Sequence, residues 1–256
     1  DDTIARIISS LNSEELQSCF IKWMMAVETA TDGKIVAVDG KTLRHSYDKK
    51  KRKSAIHMVS AYAAENGVVL GQKKTEEKSN EITAIPALLD LLDIKGCIVT
   101  IDAMGCQEKI AEKIINKKAD YVLAVKDNQK QLHEEIIDFF ETSRRFEFKN
   151  VRYDYFEESN KGHGRVELRR YWISDMLDMI SNPERWASLK GIGMVESERY
   201  IDGKTTSETR YFIVSIAPDA KVFANAVRKH WAIENQLHWV LDVSFREDDS
   251  RVRRDN

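Results

Sequence analysis

The chain has 256 residues, 42% hydrophobic and 32% charged, with a formal net charge of −2. That length holds one large domain or one domain with an insertion, and the composition is that of a folded globular protein rather than a disordered one. No window approaches eighteen uncharged apolar residues, which argues against a membrane span. Cys19, Cys97 and Cys106 show no CxxC spacing, which argues against a zinc ribbon or a disulfide scaffold and points to a reducing cytoplasm. The chain opens Asp-Asp-Thr without Met or a signal peptide and closes Arg-Arg-Asp-Asn, so it reads as a segment of a longer protein.

Residues 1–30 read as helices, with Asn12 or Ser13 as a cap ahead of Leu16, Phe20 and Trp23 at helical spacing. An α/β pattern follows. Strands are predicted over 34–39, 55–64 and 68–75, the last two joined as a hairpin by Glu65-Asn66-Gly67. A helix over 80–92, with Asn80 as a possible cap, leads to a buried strand over 97–102. A helix over 107–118, a strand over 121–125 and a helix over 129–140 complete the series. Residues 146–216 change character: alternation over 166–173, 192–199 and 207–216, with the Ile201-Asp202-Gly203-Lys204 turn, predicts a mostly β insertion with a helical piece near 183–190. The helical period returns from Asp219 to about Val240. Strand–hairpin–helix–strand–helix–strand is the order of a ribonuclease-H-like mixed sheet flanked by helices. The expected divisions are 1–30 (helical end of an N-terminal domain), 31–145 (first part of the core), 146–216 (β-rich insertion) and 217–256 (last part of the core).

Three acids stand at places where a carboxylate can work. Asp39 closes the run Ile35–Val38, and Asp102 closes Cys97–Ile101. Open α/β sheets place ligands at the carboxyl ends of such strands. Glu234 interrupts an aromatic helical stretch. Two strand-end acids and a helical third could hold two Mg²⁺ ions for phosphoryl transfer; the plain alternative for each alone is a strand end meeting solvent. Asp242, Glu247, Asp248 and Asp249 are rival third acids, with Asp242 an alternative partner for Arg246. His230, Glu234 and His238 recur every four residues, but the two histidines lie about 12 Å apart along a helix, too far for one zinc ion; packing beside Trp231 and Trp239 weighs as much for them as function.

Basic residues supply candidate phosphate contacts. Seven Lys or Arg side chains lie between Lys41 and Lys53, Lys41 and Arg44 among them, although a solvated loop explains such a run at least as well. Gly162-His163-Gly164-Arg165 is a glycine-flanked loop, equally readable as a plain turn, in which His163 and Arg165 could meet phosphate. Lys126 follows the strand over 121–125, with Asn128 and Gln129 touching DNA or capping the next helix.

These motifs resemble one family. Val38-Asp39-Gly40-Lys41-Thr42-Leu43-Arg44, Thr100–Gln107 and His230–Asn235 are similar to the DDE transposases of bacterial insertion sequences, and most similar to the H-repeat-associated branch. Val125–Gln129, Lys161–Arg165 and Leu241–Asp248 carry the same resemblance, which covers nearly the whole chain. It implies a ribonuclease-H-like core with a β-rich insertion before the third acid, and Asp39, Asp102 and Glu234 as the metal-binding triad. It also implies Mg²⁺ (or Mn²⁺), two ions, for cleavage and strand transfer at transposon ends. Double-stranded DNA, at transposon ends and target, would be the substrate, bound by a homodimer or synaptic complex in the bacterial cytoplasm at the nucleoid. Relatives often carry Tyr, Arg and Lys seven before, four before and seven after the glutamate; here those positions hold Val227, His230 and Leu241. Arg228, Lys229 and His230 are therefore the DNA contacts expected on this helix. Asp127 stands where many relatives have glycine. The rival expectations are an idle or repurposed DNA-binding relative and a metal-dependent nuclease of the same fold.

Overall fold

β-Branched and aliphatic runs build the centre of the fold. Ile35–Leu43 (β1) pairs antiparallel with Ile56–Ala63 (β2), which turns into the antiparallel Val68–Lys74 (β3). Gly67 takes a φ of 69° in that turn, a conformation most side chains resist. Ile98–Ile101 (β4) lies parallel to β1, and Asp120–Val125 (β5) lies parallel to β4. β1, β4 and β5 are nearly continuous hydrophobic runs because both faces are covered. The computed structural model describes residues 2–27, 34–47, 54–75, 81–162 and 165–250.

Four long antiparallel strands continue the same sheet: Asp154–Gly162 (β6), Arg165–Ser174 (β7), Gly191–Ile201 (β8) and Lys204–Val214 (β9). β9 pairs antiparallel with β5, so the sheet has nine strands in the order β3-β2-β1-β4-β5-β9-β8-β7-β6. The last rung between β5 and β9 joins Val125 to Tyr211. β9 runs on to Lys204, seven residues or about 24 Å past the carboxyl end of β5. β8, β7 and β6 pair alongside it in full register. The expected β-rich insertion before the last helix is thus a ladder projecting from the core sheet.

Helices cover the two faces. Glu81–Leu91 (α3), Glu108–Asn116 (α4) and Lys130–Arg145 (α5) enclose one apolar cluster built on Val36, Val38, Val99 and Leu123. Ala220–His230 (α6) closes the other, packing Phe223, Ala226 and Val227 against Ala37, Ile98, Val122, Tyr171 and Phe212. Residues 35, 37, 98, 122 and 212 therefore face α6, and strand alternation puts the side chains of 39, 102 and 126 on that same face. Asp2–Ser10 (α1) and Ser13–Val27 (α2) precede the sheet, with Asn12 Oδ1 accepting from Glu14 and Glu15 as the cap anticipated there. No helix among the described residues is long and apolar enough to cross a membrane.

Five elements differ from expectation. β1 does not close at Asp39 but runs on to Leu43, because β2 keeps pairing with it after its parallel neighbour β4 has ended. α5 runs to Arg145 rather than stopping at Phe140, because Ser143 is buried and bonds the Phe139 carbonyl while Arg144 lies over the Trp172 ring. β6 was not anticipated: it is a mostly exposed edge strand with little apolar alternation. The helical piece near 183–190 shrinks to a single 3₁₀ turn, Pro183–Arg185, bounded by left-handed residues at Asn182 and Ser188. After α6 the helix widens into a π-helical segment, Ile233–His238, before Trp239–Val243 (α7). The expected cap Asn80 lies outside the described residues.

Candidate active site

Asp39 and Asp102 emerge on the α6 face from the adjacent parallel strands β1 and β4, and Glu234 projects from the π-helical segment. All three line one cleft of about 390 Å³, together with Lys126, Asp127, Arg210 and Trp231. Asp102 is held tightly, its Oδ1 accepting from the amides of Met104 (3.0 Å) and Gly105 (3.4 Å) as the cap of a 3₁₀ turn. Asn128 and Gln129, read as DNA contacts or caps, instead donate to the carbonyls of Ala103 and Cys106 and brace that turn. The π turn is visible in the amide of Trp239, which bonds Glu234 O five residues back. Segments of this kind recur at functional sites. Tyr62 Oη ties the segment to β2 through Gln236 (2.9 Å).

Negative charge gathers here, with Lys126 and Arg210 on the cleft wall and Arg210 acting on Glu234. Burial pushes the Asp39 carboxyl up to about 7, against a hydrogen bond from the Gly40 amide and with Asp102, Glu81 and Glu234 adding repulsion. Burial also raises Glu234, with Arg210 pulling it down and Asp102 pushing it up. Two histidines back the cleft as neutral groups. His230 Nδ1 meets Thr100 Oγ1 at 3.1 Å, and burial lowers its pKa to about 4. His238 Nδ1 lies 3.6 Å from Asp39 Oδ2, and burial together with Lys41 holds it near 4.

The donors are all carboxylate oxygens, the type suited to Mg²⁺ or Mn²⁺, and the proton held by Asp39 comes first from its burial and then from repulsion by Asp102, Glu81 and Glu234. Among the described residues, however, no three His, Cys, Asp or Glu side chains stand close enough together to hold one ion. The three acids share a cleft without forming a ready-made cage.

The rival third acids lie elsewhere. Lys41, only 8% exposed, points away from the cleft into a second acidic group: Asp242 at 2.6 Å, Glu247 at 3.1 Å and Asp248 at 3.3 Å. Burial alone would lower its pKa, but the hydrogen bonds it donates to Asp242 and Glu247, together with their charges, outweigh it and the pKa rises. Asp242 thus pairs with Lys41 and not with Arg246, which binds Asp249. The basic candidates divide by position. Lys126 is exposed in the cleft. Arg44 is 79% exposed beside Asp248, Arg228 meets Glu158 at 2.9 Å, Lys229 meets Glu65 at 3.6 Å, and Arg165 meets Glu167 at 3.1 Å. Lys41 is buried among its acidic partners, and His230 lines the cleft, half-buried, with its Nδ1 on Thr100; His163 lies outside the described residues.

Two groups near Asp39 escaped the sequence reading. His57 Nε2 bonds Glu81 Oε1 at 2.7 Å, and its Nδ1 meets Thr42 Oγ1 at 2.7 Å. This pair presses on Gly40: a Cβ there would lie 2.2 Å from Glu81 Oε1 and 2.4 Å from His57 Nε2. A glycine directly after a strand-end acid was the available signal, since glycine within a strand often marks a close approach. Arg210 also went unnoticed; its guanidinium lies 4.4 Å over the Trp231 ring at the cleft wall.

A nine-stranded sheet beginning 3-2-1-4-5, with one acid where strand 1 outruns strand 4, another just after strand 4 and a third on the closing helical segment, is a ribonuclease-H-like architecture. The model of the transposase DDE domain matches residues 29–256, and the chain belongs to that family. It is 51% identical over 260 residues to "Putative transposase YncI" of Escherichia coli O157:H7, a match covering all of this chain and 66% of that protein. It is 45% identical over 260 residues both to "H repeat-associated putative transposase YhhI" and to "Putative protein YbfL" of Escherichia coli K12, covering all of this chain and 68% of each. The chain spans about two thirds of the length of these relatives.

Proposed function

We propose that this chain is the catalytic core of a DDE transposase, cleaving DNA at transposon ends and joining the freed 3′ end to a target. The observation that carries the reading is the meeting of Asp39, Asp102 and Glu234 in one cleft, where burial and mutual repulsion raise the Asp39 carboxyl. Names of relatives, "transposase" and "H repeat-associated putative transposase" among them, support it. Asp39, Asp102 and Glu234 are the residues that would hold divalent Mg²⁺ or Mn²⁺, two ions in all. Bound there, such ions polarise a phosphate and activate water or a 3′-hydroxyl as nucleophile.

The remaining roles belong to the chain itself. The amides of Met104 and Gly105 fix the Asp102 carboxylate before substrate arrives, so little reorganisation is left for the reaction. His230 and His238, neutral at pH 7, pack behind the aspartates without contributing charge. Lys126 and Arg210 flank the cleft where the phosphates beside a scissile bond would run. Joining two ends calls for at least two copies, as a dimer or synaptic complex.

The test supplies the full chain with Mg²⁺ or Mn²⁺ and labelled duplexes, either intact or carrying a precut 3′-hydroxyl end. Joining of the precut strand, abolished by Asp102→Asn, is the expected result. Hydrolysis without joining would replace the reading by a nuclease, and neither reaction would leave an idle relative.

A further inference from the structure

The β6–β9 ladder carries opposite charge on its two faces. On the face shared with α6, the buried carboxylate of Glu167 meets three guanidinium groups: Arg165 at 3.1 Å, Arg169 at 2.5 Å and Arg199 at 3.0 Å. Arg199 stands directly across from Glu167 in the β7–β8 register, and Arg165 and Arg169 flank it two residues away on β7. On the opposite face the polarity reverses. There Arg170 is surrounded by Glu157, Glu198 and Glu196, at 3.0, 2.6 and 3.9 Å.

One carboxylate needs one cation. Three arginines around Glu167 leave two positive charges over, and the guanidinium groups of Arg165 and Arg199 are each about half exposed (52% and 53%). An ion-pair network serving only to stitch strands together would gain nothing from that surplus, since like charges crowd one another. The surplus is also aimed. Arg210 is opposite Val195 in β8, which is opposite Tyr171 in β7, so the arginine cluster and Arg210 share the sheet face on which Asp39 and Asp102 emerge. The ladder extends past the acid cleft on that face, with β9 running from Arg210 to Lys204 beyond the end of β5.

From this we infer that the arginine cluster around Glu167 is a phosphate-backbone site, holding the duplex on the ladder face while a neighbouring phosphate lies in the acid cleft. Arg169 donates a hydrogen bond to Glu167 Oε2, while Arg165 and Arg199 lie at ion-pair distance from Oε1 without a hydrogen bond to it; their half-exposed guanidinium groups are thus left with donors of the kind that suits phosphate oxygens. Backbone contact of this kind positions DNA without reading its sequence. The inference rests on the DNA-processing function proposed above and adds where the substrate runs.

The test measures binding of the full chain to a short fluorescent duplex across a salt series without divalent metal. Arg165→Gln/Arg199→Gln keeps partners for Glu167 but removes both surplus charges. It is expected to flatten the plot of log affinity against log salt by about 2, the equivalent of two phosphate contacts. Lys109→Ala/Lys113→Ala, on α4 across the sheet, removes the same charge and is expected to leave the slope unchanged. In a second variant, Glu167→Gln, loss of the competing negative charge is expected to tighten binding several-fold; unchanged affinity with lowered thermal stability would mark the cluster as purely structural. If the wild type binds DNA with the same slope as the double arginine variant, the site is overturned while the proposed function stands. If the wild type binds no DNA at any salt, the proposed function falls and this inference with it.

Discussion

Two acidic groups sit at the carboxyl end of β1, two residues apart in sequence and opposite in kind. Around Lys41, Asp242, Glu247 and Asp248 are satisfied by a buried ammonium, and the result is a clasp that ties β1 to the segment after α7. Around Asp39, burial above all, and then repulsion from Asp102, Glu81 and Glu234, lets the aspartate keep its proton to about 7. The same residue types serve stability in one place and stand ready for a cation in the other. What separates them is whether the fold supplies the counter-charge.

Substitution should pull the two groups further apart. The largest effect is expected from Asp39→Asn, Asp102→Asn or Glu234→Gln, each lowering metal-dependent DNA cleavage by roughly 10³-fold or more, since several kcal/mol of transition-state stabilisation would be lost. Circular dichroism should show these variants folded and no less stable than wild type in the absence of metal. Lys41→Ala should do the reverse, leaving three carboxylates without their cation at a cost of about 3–5 kcal/mol in urea unfolding.

The pH dependence of stability should also differ between the groups. The ordinary pKa of Asp39 is 3.8 and its folded value about 7, so between those values the folded chain holds a proton that the unfolded chain has lost. Its contribution therefore turns increasingly against folding as pH rises through that window, then levels off. His230 and His238 act oppositely, staying neutral in the fold down to about 4 and favouring it as pH rises towards 6.5. Comparison with Asp39→Asn isolates the aspartate: the variant should gain about 2–4 kcal/mol relative to wild type between pH 4 and 8. A constant difference across that range would contradict the uncompensated charge.

Added Mn²⁺ should stabilise the wild type at pH 8 by about 2.7 kcal/mol at a hundredfold excess over its dissociation constant, and should do so far less in Asp39→Asn, as read by thermal melting. The smallest effect is expected from Gly40→Ala. Its Cβ must displace the His57–Glu81 pair, costing about 1–3 kcal/mol as overpacking does.

Much of this arrangement could be read before the structure. Asp39 and Asp102 each follow a buried apolar run, so their places came from local pattern alone, as did the hairpin at Gly67 and the return of the helix near Asp219. Lys41 was misread because its basic neighbours are adjacent in sequence while its acidic partners lie some 200 residues away. The polar edge strand β6 has no alternation to find. The π-helical segment left no trace either, because the bond from Tyr62 to Gln236 comes from a distant strand. His57 and Glu81 matter only through their closeness to Gly40, which no spacing encodes.

The wide turn at Ile233–His238 makes this stretch a vernier between two rigid anchors. Upstream, α6 is locked to the sheet by Phe223 and Val227; downstream, Asp242 is locked to Lys41. The wide turn absorbs one extra residue between 233 and 238, so removing it would restore a regular helix and leave Asp242 close to Lys41. Removing a residue from the regular helix beyond it would instead swing everything that follows by about 100° around the axis and cost Lys41 its partner. The length of this stretch, as much as the acid it carries, sets where the helix can be cut or extended.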